Sequence, residues 1–433
     1  MGRPLAAAQR SQRIIDGMSR ATQILENEGL WPLLRAGMRR VLLQVGLRSP
    51  GLTLEKALTV LEIPISPAVP GILLFFQSIG SLVTNESHIQ YFKKRGWEIR
   101  IFPPSDLQMI ISGSSPWGDL LPGATLCLVE DEAWLPYLLT PVNPVGWKVV
   151  WIGDSLPLEK IEQVVIYKDY GEWDPIILKL YPLVSILILT YNNLPITQLC
   201  LKSILENTVY PSYELIIVDN ASQDGTPQFL LTSAQTHSNI HFIKNEENRG
   251  FAAGNNQALN AAHGEYIIFL NNDTVIPPGW LTTLLGHLEP TGVGMVGPRT
   301  NSWGNESRLE VNYQSLEMLY QFAMQRQKAF AGQSFELPML ALFCLGMRKE
   351  VVDKIGYLDE RFGLGMFEDD DYSHRVRKGG YTVLCAQDVF IHHWGRQSFS
   401  KLEKGAYDRL FDENKKKYEE KWGIRWEKPR LDI

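Results

Sequence analysis

Residues 245–274 read NEENRGFAAGNNQALNAAHGEYIIFLNNDT. In chain order this stretch contains a loop rich in glycine and asparagine, a helical pattern, an apolar strand pattern and an acid at the strand's end. A glycine-rich loop before a helix offers backbone N–H groups and the positive end of the helix dipole to phosphate. Open α/β sheets bind their ligands at the carboxyl ends of their strands. The stretch therefore predicts an α/β sheet that binds a nucleotide diphosphate and its metal ion.

Apolar runs alternate with helical runs around this stretch. Strands are predicted at VSILILT, YELIIVDN, IHFIKN and EYIIFLNN, and helices at PITQLCLKSILENT, TPQFLLTSAQ and AAGNNQALNAA. Strands that alternate with helices through right-handed crossovers form a doubly wound, mostly parallel sheet. Further on, MFEDDDYSHRVRKGG predicts a helix with acids in its first turn. The strand YTVLCAQDVFIHH and a charged helix from Tyr407 follow it.

Two regions precede this series. Apolar runs such as GILLFF and ATLCLVED in residues 51–175 predict a smaller α/β domain with a largely parallel sheet. Residues 1–50 contain eight Arg and three acids, a local charge of +5. Two helices are predicted over 10–47, and the second is basic and amphipathic. It either lies on an anionic membrane or packs on its own domain with solvated arginines. The main α/β domain is predicted over 180–400, with a charged helix in 401–433.

Composition narrows the class of protein. With 45% hydrophobic and 21% charged residues, the 433-residue chain is typical of globular proteins with room for two cores. A net charge of −6 does not indicate a nucleic-acid partner. Four scattered cysteines without a CxxC pair argue against a zinc site or a disulfide framework and favour a reducing cytoplasm. We find no signal peptide, and no apolar run reaches the ~20 residues that span a bilayer.

Polar side chains follow the first two predicted strands of the main domain. Thr190, Tyr191 and Asn192 follow the first strand, and Asp219 and Asn220 end the second. Parallel strands bring these ends to one edge of the sheet, where a carboxylate can accept a hydrogen bond from a nucleobase and an aromatic ring can stack on it. Alternatively, Asp219 and Asn220 only cap the turn ASQDGT, which is rich in turn formers.

Two polar triplets flank the predicted phosphate site: Asn248-Arg249-Gly250 and Asn271-Asn272-Asp273. Arginine suits bidentate contacts to phosphate, although a loop arginine can also simply lie in water. Mg²⁺ or Mn²⁺ prefers oxygen ligands and takes one or two carboxylates together with water and substrate phosphates. A single acid at a strand end meets that demand. The alternative, a strand-end turn, leaves the preceding loop unexplained.

The later helix and strand carry further candidates. Four acids, Glu368 to Asp371, begin the helix, and adjacent helical positions point in different directions, so only one or two can face the site. One of them is a candidate general base, and the alternative is a solvated or dipole-compensating run. His392 and His393 end the last strand. Since alternate residues face opposite sides, only one is expected to reach the metal, unless both are structural.

Taken together these residues resemble the family 2 glycosyltransferases, and more narrowly the bacterial enzymes that extend O-antigen, rhamnan or galactan chains. The resemblance covers about residues 183–400. It rests on VSILILTYNN, ELIIVDNASQDGT, NRGFAAGNNQAL, YIIFLNNDT, GYLDERFGLGMFEDDDYSHRVRKGGY and VFIHHWGRQSF. It implies a GT-A fold, a nucleotide-sugar donor, Mg²⁺ or Mn²⁺, and inversion of the anomeric centre in one step.

The resemblance also implies roles for single residues. The general base falls on Asp369, flanked by Glu368 and Asp371. The metal motif falls on Asn271-Asn272-Asp273, where Asn replaces the first acid and leaves Asp273 as the main ligand. The family's late histidine falls on His392 or His393, with His392 preferred. The implied donor-binding residues are Thr190, Tyr191, Asn192, Asp219, Asn220, Asn248, Arg249, Gly250, Asn255 and Asn272.

The sequence thus predicts a metal-assisted inverting glycosyltransferase in cell-surface polysaccharide assembly. Its acceptor would be a growing glycan or a lipid-linked acceptor, in the cytoplasm or at the inner face of the plasma membrane. One alternative is an inactive sugar-nucleotide-binding module in an assembly complex. A nucleotidyltransferase is disfavoured, because YNNLPITQ, after the first strand, has no glycine, arginine or lysine.

Overall fold

The computed structural model describes residues 52–62, 65, 72–76, 86–102, 125–129, 147–152, 164–167, 173–302, 305–395 and 405–427. The helices predicted over residues 10–47 lie outside the described residues, and so does the membrane contact inferred from them. Among the helices that are described, none combines the length and the apolar character needed to cross a bilayer. The domain boundaries set from the sequence stay predictions.

The apolar runs between residues 72 and 167 form a five-stranded parallel sheet of order β2-β1-β3-β4-β5. The strands are β1 Ile72–Phe76, β2 Glu98–Phe102, β3 Thr125–Val129, β4 Trp147–Ile152 and β5 Val164–Tyr167. Helix α1 (Leu54–Leu58) and the 3₁₀ helix Thr59–Glu62 precede the sheet, and α2 (Glu86–Lys94) lies between β1 and β2. The parallel sheet predicted for this region is confirmed.

The rest of the chain builds a larger sheet with its helices. Its strands are β6 Val184–Thr190, β7 Tyr213–Asp219, β8 Ile240–Lys244, β9 Tyr266–Asn271, β10 Thr274–Val275, β11 Val293–Thr300, β12 Ser334–Glu336, β13 Cys344–Arg348 and β14 Thr382–His393. Its helices are α3 Trp173–Leu180, α4 Leu194–Asn207, α5 Thr226–Thr236, α6 Phe251–Asn260, α7 Trp280–Gly286, α8 Leu316–Ala329, α9 Lys349–Ile355, α10 Glu368–Lys378 and α11 Ala406–Trp422, with a 3₁₀ helix at Glu360–Phe362.

Within the described residues this sheet has nine strands in the order β10-β14-β11-β13-β9-β6-β7-β8, with β12 paired to β14. Six strands share one direction, and β10, β12 and β13 oppose them. Every helix and strand predicted after residue 183 is present. The α/β class and the mostly parallel sheet are confirmed, whereas the antiparallel β13 in the middle of the sheet was not predicted.

Alternate residues of the central strands pack on opposite faces of this sheet. In β6, Ile186 and Ile188 contact an apolar cluster that includes α4 and α7, while Leu187 belongs to the cluster that includes α6 and α10. Because both faces are covered, the strands are continuous apolar runs. Helix α6 lies close to β6, since a Cβ at Gly254 would be 2.4 Å from Leu189 Cδ1. This packing places the loop before α6 at the carboxyl edge of the sheet.

Candidate active site

The strand register brings the predicted polar residues to one edge of the sheet. Thr190 at the end of β6 pairs with Asp219 at the end of β7, and Leu189 pairs with Asn271 at the end of β9. On the other side of β9, β14 ends at His393. The expected common edge of the parallel strands is therefore observed.

Asp219 organises the two loops that follow β6 and β7. Its carboxylate is fully buried and accepts hydrogen bonds from Thr190 Oγ1 (3.0 Å), Ser222 Oγ (2.5 Å) and the Ser222 N–H (2.9 Å). The Asn192 N–H donates to the same Ser222 hydroxyl, at 2.6 Å. Through these contacts Asp219 caps the turn that follows β7, which is the alternative role considered for it above. Tyr191 beside them is 39% exposed, so its ring is available to stack on a base.

Asn220 ties the end of β7 to the glycine-rich loop. Its Nδ2 donates to Asn248 Oδ1 (2.8 Å) and to the Gly250 carbonyl (3.2 Å), while its Oδ1 accepts from Asn245 Nδ2 and the Arg249 N–H. The Gly250 N–H donates to Asn248 Oδ1 at 3.0 Å. The backbone N–H groups that were expected to bind phosphate are thus directed at protein oxygens. The side chain of Arg249 in the same loop is exposed.

Gly250 joins this loop to the segment that precedes the acidic helix. Its φ is +86°, and a Cβ there would lie 2.2 Å from the Gly363 carbonyl oxygen. The N–H of Phe251 donates to the same oxygen at 3.3 Å. Only glycine combines this φ with so close an approach. The loop at Asn248–Gly250 and the entry to α10 are therefore in direct contact.

Asp273, which follows β9, and His393, at the end of β14, form a buried pair. His393 Nε2 lies 3.0 Å from Asp273 Oδ1, and the imidazole stacks on Phe343 with ring centres 4.8 Å apart. Burial lowers the pKa of His393, but the attraction of Asp273 outweighs it, and the pKa is raised overall. Asn301 holds the backbone of His393, donating to its carbonyl and accepting from its N–H. Asn301 was not among the predicted site residues.

His392 points to the opposite side of β14. Its Nδ1 lies 2.6 Å from the Tyr313 hydroxyl, and its ring meets Trp394 edge to face. Burial, and then the neighbouring His393, lower the pKa of His392 to about 3. The sequence preferred His392 as the residue near the metal, whereas the structure places His393 beside Asp273. Side-chain alternation along the strand accounts for the difference, because both histidines pair with β10 but successive side chains lie on opposite faces of the sheet, so only one shares a face with the Asp273 carboxylate.

Asp273 and His393 fit a site for Mg²⁺ or Mn²⁺ that is completed by the substrate. Within the described ranges, no group of three or more His, Cys, Asp or Glu side chains could hold a metal ion. An octahedral ion with ligands at about 2.1 Å has neighbouring ligand atoms about 3.0 Å apart, which matches the separation of the Asp273 and His393 atoms. Two protein ligands agree with an ion that takes its remaining ligands from diphosphate and water.

The side chains of two other predicted donor-binding residues, Asn255 and Asn272, form hydrogen bonds within the protein. Asn255 Nδ2 donates to the Phe251 carbonyl one turn earlier in α6, at 3.0 Å. Asn272 Nδ2 donates to Thr197 Oγ1 at 2.9 Å. Both side chains thus support the elements around the site, and neither contact points to a ligand.

Glu368 and Asp369 form the first turn of α10 and are 7% and 8% exposed. Burial and the nearby Asp370 raise the pKa of Glu368 to about 7. Burial, followed by repulsion from Asp370 and Glu368, raises the pKa of Asp369 well above its usual value. In the part of the chain that the structure describes, neither carboxylate forms an ion pair with a basic side chain. A carboxylate in this setting suits a general base, whose pKa needs to lie near the working pH.

The other two acids contact the end of α11 and the residues that follow it. Asp370 Oδ1 accepts from Trp426 Nε1 at 2.8 Å. Asp371 is fully buried and accepts from three side chains: Arg375, Lys421 and Trp422. The four acids therefore divide into two pairs, as expected for adjacent helical positions. Asp371, predicted to flank the base, is already paired with protein cations.

Solved structures that match part of this chain include the mannosyltransferase PcManGT from Pyrobaculum calidifontis in complex with GDP-Man and Mn²⁺. It has a TM-score of 0.39 and 22% identity, over 51% of this chain and 60% of that one. Another is S. aureus TarS 1–349 in complex with UDP-GlcNAc, with a TM-score of 0.39 and 17% identity, over 51% of this chain and 61% of that one. Each match thus spans less than two thirds of the solved chain.

Sequence comparison finds relatives among named glycosyltransferases. Glycosyltransferase AglE of Haloferax volcanii is 27% identical over 226 residues, which are 52% of this chain and 70% of AglE. The O-antigen biosynthesis protein RfbC of Myxococcus xanthus is 27% identical over 49% of this chain, but the match spans only 17% of RfbC. Residues 185–356 match the family described as Glycosyl transferase family 2. The family match and these relatives show that residues 185–356 are similar to the family 2 glycosyltransferases.

Proposed function

We propose that this glycosyltransferase inverts the anomeric centre of its donor sugar, with Asp369 as the general base. The acceptor is a hydroxyl of a growing cell-surface glycan or of a lipid-linked acceptor. The observation that carries the proposal is the buried pair Glu368 and Asp369, whose pKa values are raised and which no basic side chain neutralises among the described residues. Burying two carboxylates in this way destabilises the fold, and a catalytic role accounts for that cost.

In the proposed reaction the acceptor hydroxyl gives its proton to the Asp369 carboxylate. The acceptor oxygen then bonds to the anomeric carbon from the face opposite the nucleotide. The bond between that carbon and the diphosphate oxygen breaks, and its electron pair leaves with the nucleoside diphosphate. Arg249 lies on the loop next to Gly363 and supplies positive charge to the departing diphosphate.

Asp273 and His393 would hold the metal ion in this proposal. When bound, Mg²⁺ or Mn²⁺ neutralises the charge that develops on the leaving diphosphate. The chain's own contribution is to keep both ligands on adjacent strands: Thr274, next to Asp273, pairs with His393 across β10 and β14. The stacked ring of Phe343 holds the imidazole of His393 in place.

A role in polysaccharide assembly is supported by the family and by the name of RfbC, an O-antigen biosynthesis protein. A lipid-linked acceptor lies at a membrane surface, and the charge of +5 on residues 1–50 would favour binding to anionic lipid there. The full chain is therefore expected to pellet with anionic vesicles. If a chain lacking residues 1–50 pellets equally well, these residues do not supply the membrane contact.

The test of the function is a panel of nucleotide sugars assayed with Mn²⁺ or Mg²⁺ for release of nucleoside diphosphate. Metal-dependent release from one donor, absent in Asp369→Asn and Asp273→Ala, is the expected result. The configuration of the product at the anomeric carbon, read by NMR, then tests inversion. A retained configuration would remove Asp369 from its role as the base of a single displacement.

The alternative function, an inactive sugar-nucleotide-binding module, makes a different prediction. It expects a donor to bind in calorimetry without turnover, even when lipid-linked acceptors are supplied. It also gives no reason for two buried and unneutralised carboxylates at the start of α10. We therefore favour the active enzyme.

A further inference from the structure

The C-terminal segment (residues 405–427) holds the turn that leads into the acidic helix. Asn414 in α11 is fully buried, and its Nδ2 donates to the carbonyls of Phe362 (2.7 Å) and Gly365 (2.8 Å), with the Met366 carbonyl at 3.3 Å. These carbonyls precede α10 by a few residues. One amide from a helix about fifty positions further along the chain therefore fixes the path into the first turn of α10.

That turn has a backbone conformation that needs outside support. Met366 and Phe367 have φ values of +76° and +73°, which side chains other than glycine rarely adopt. The Phe367 ring packs against Trp426 and Tyr418 at ring-centre distances of 5.3 and 5.8 Å. Phe367 is also the N-cap residue of α10. The C-terminal segment thus stabilises an unfavourable turn, and this turn sets the residue at which α10 begins.

The same segment sets the rotation of α10 about its axis. Asp370 accepts from the Trp426 indole at 2.8 Å, and Asp371 accepts from the Trp422 indole at 2.9 Å. Successive helical residues point about 100° apart. When Asp370 and Asp371 face the C-terminal segment, Glu368 and Asp369 point in other directions, and no basic side chain of the described residues forms an ion pair with them.

We propose that Asn414 and Trp426 are positioning residues of the transfer reaction, which set the start and the rotation of α10 so that Asp369 meets the acceptor hydroxyl. This inference rests on the proposed function, since it concerns the base of that reaction. Neither residue touches the reacting atoms in this role. Asn414 acts through the turn at Met366, and Trp426 acts through Asp370.

The test is Trp426→Phe, which keeps the aromatic packing and removes the indole N–H. We expect kcat to fall about 10- to 100-fold, because small displacements of a catalytic group have effects of this size. The donor KM and the affinity for the nucleoside diphosphate with Mn²⁺ are expected to stay within about two-fold, since Trp426 contacts Asp370, Phe367 and α11 rather than Arg249, Asp273 or His393. Amide hydrogen exchange in residues 363–371 is expected to become faster. Lys416→Ala, on the exposed face of α11, is the matched control and should change neither kcat nor the hydrogen exchange of residues 363–371.

A double-mutant cycle shows whether Trp426 acts through Asp370. In an Asp370→Ala background, Trp426→Phe should cause no further loss of kcat, because its partner is already gone. An undiminished further loss overturns the proposed route, and so does an unchanged kcat in the single variant. If the wild-type chain turns over no donor at all, the proposed function fails instead. Hydrogen exchange then decides the positioning: unchanged exchange at residues 363–371 in Trp426→Phe refutes it, and faster exchange supports it.

Discussion

Replacing Glu368 by Gln should stabilise the protein, and by an amount that depends on pH. The folded protein raises the pKa of this carboxyl from an ordinary 4.5 to about 7. In the folded state Glu368 therefore keeps a proton that the unfolded chain has already released. The wild-type protein is most stable on this account below pH 4.5 and loses stability as the pH rises toward 7. Gln has no proton to lose.

Once the pH exceeds about 7, the rise in the pKa of Glu368 from 4.5 to about 7 lowers the free energy of unfolding of the wild type by about 3 kcal/mol. At pH 5 the loss in the free energy of unfolding is only about 1 kcal/mol. Glu368→Gln should thus gain about 2 to 3 kcal/mol more over wild type at pH 8 than at pH 5. Changes in packing and hydrogen bonding at the new amide cancel in this comparison, because they are the same at both pH values.

Urea unfolding of both proteins at pH 5 and pH 8 measures the gain. The same substitution at the exposed Glu247 is the control and should leave the urea midpoint unchanged at both pH values. A gain at Glu368 that does not grow with pH would refute the reasoning, since the carboxylate would then carry no penalty in the folded state. A confirmed gain would show that α10 holds its acids at a cost in stability.

Four further predictions concern the reaction and the loop. Asp369→Asn should lower kcat by about 10²- to 10⁴-fold while calorimetry shows unchanged donor binding. In the wild type, activity should rise with pH through a midpoint well above the usual range for an aspartate, because the active form is the carboxylate and its pKa is raised; a midpoint near pH 4 contradicts this. Asp273→Ala should weaken Mn²⁺ activation at least about ten-fold in a metal titration of nucleotide release. Gly250→Ala should destabilise the protein in urea by about 1–3 kcal/mol and reduce turnover, because its Cβ would meet the Gly363 carbonyl. Gly292→Ala, with a similar φ of +96° but open space around its Cβ, should cost less.

Most of the main sheet could be predicted from local patterns. Buried parallel strands such as β6 are continuous apolar runs, and turn formers or glycines bound the helices between them. The acidic start and the glycine end of α10 are equally local signals. The antiparallel β13 escaped prediction, because its short sequence CLGMR has no periodicity of its own and its place depends on pairing with β9 and β11.

The sequence by itself determined which residues could do chemistry and on which elements they lie. Only the tertiary structure decided which of them face the site. His393 rather than His392 meets Asp273 because β10 pairs with the end of β14. Asp370 and Asp371 are turned away by indole groups about fifty residues further along the chain. Local periodicity records which positions are apolar or charged, but the direction of a side chain depends on partners brought together by folding. The physical reason is that hydrogen bonds and packing act over a few ångströms in space, whatever the separation along the chain.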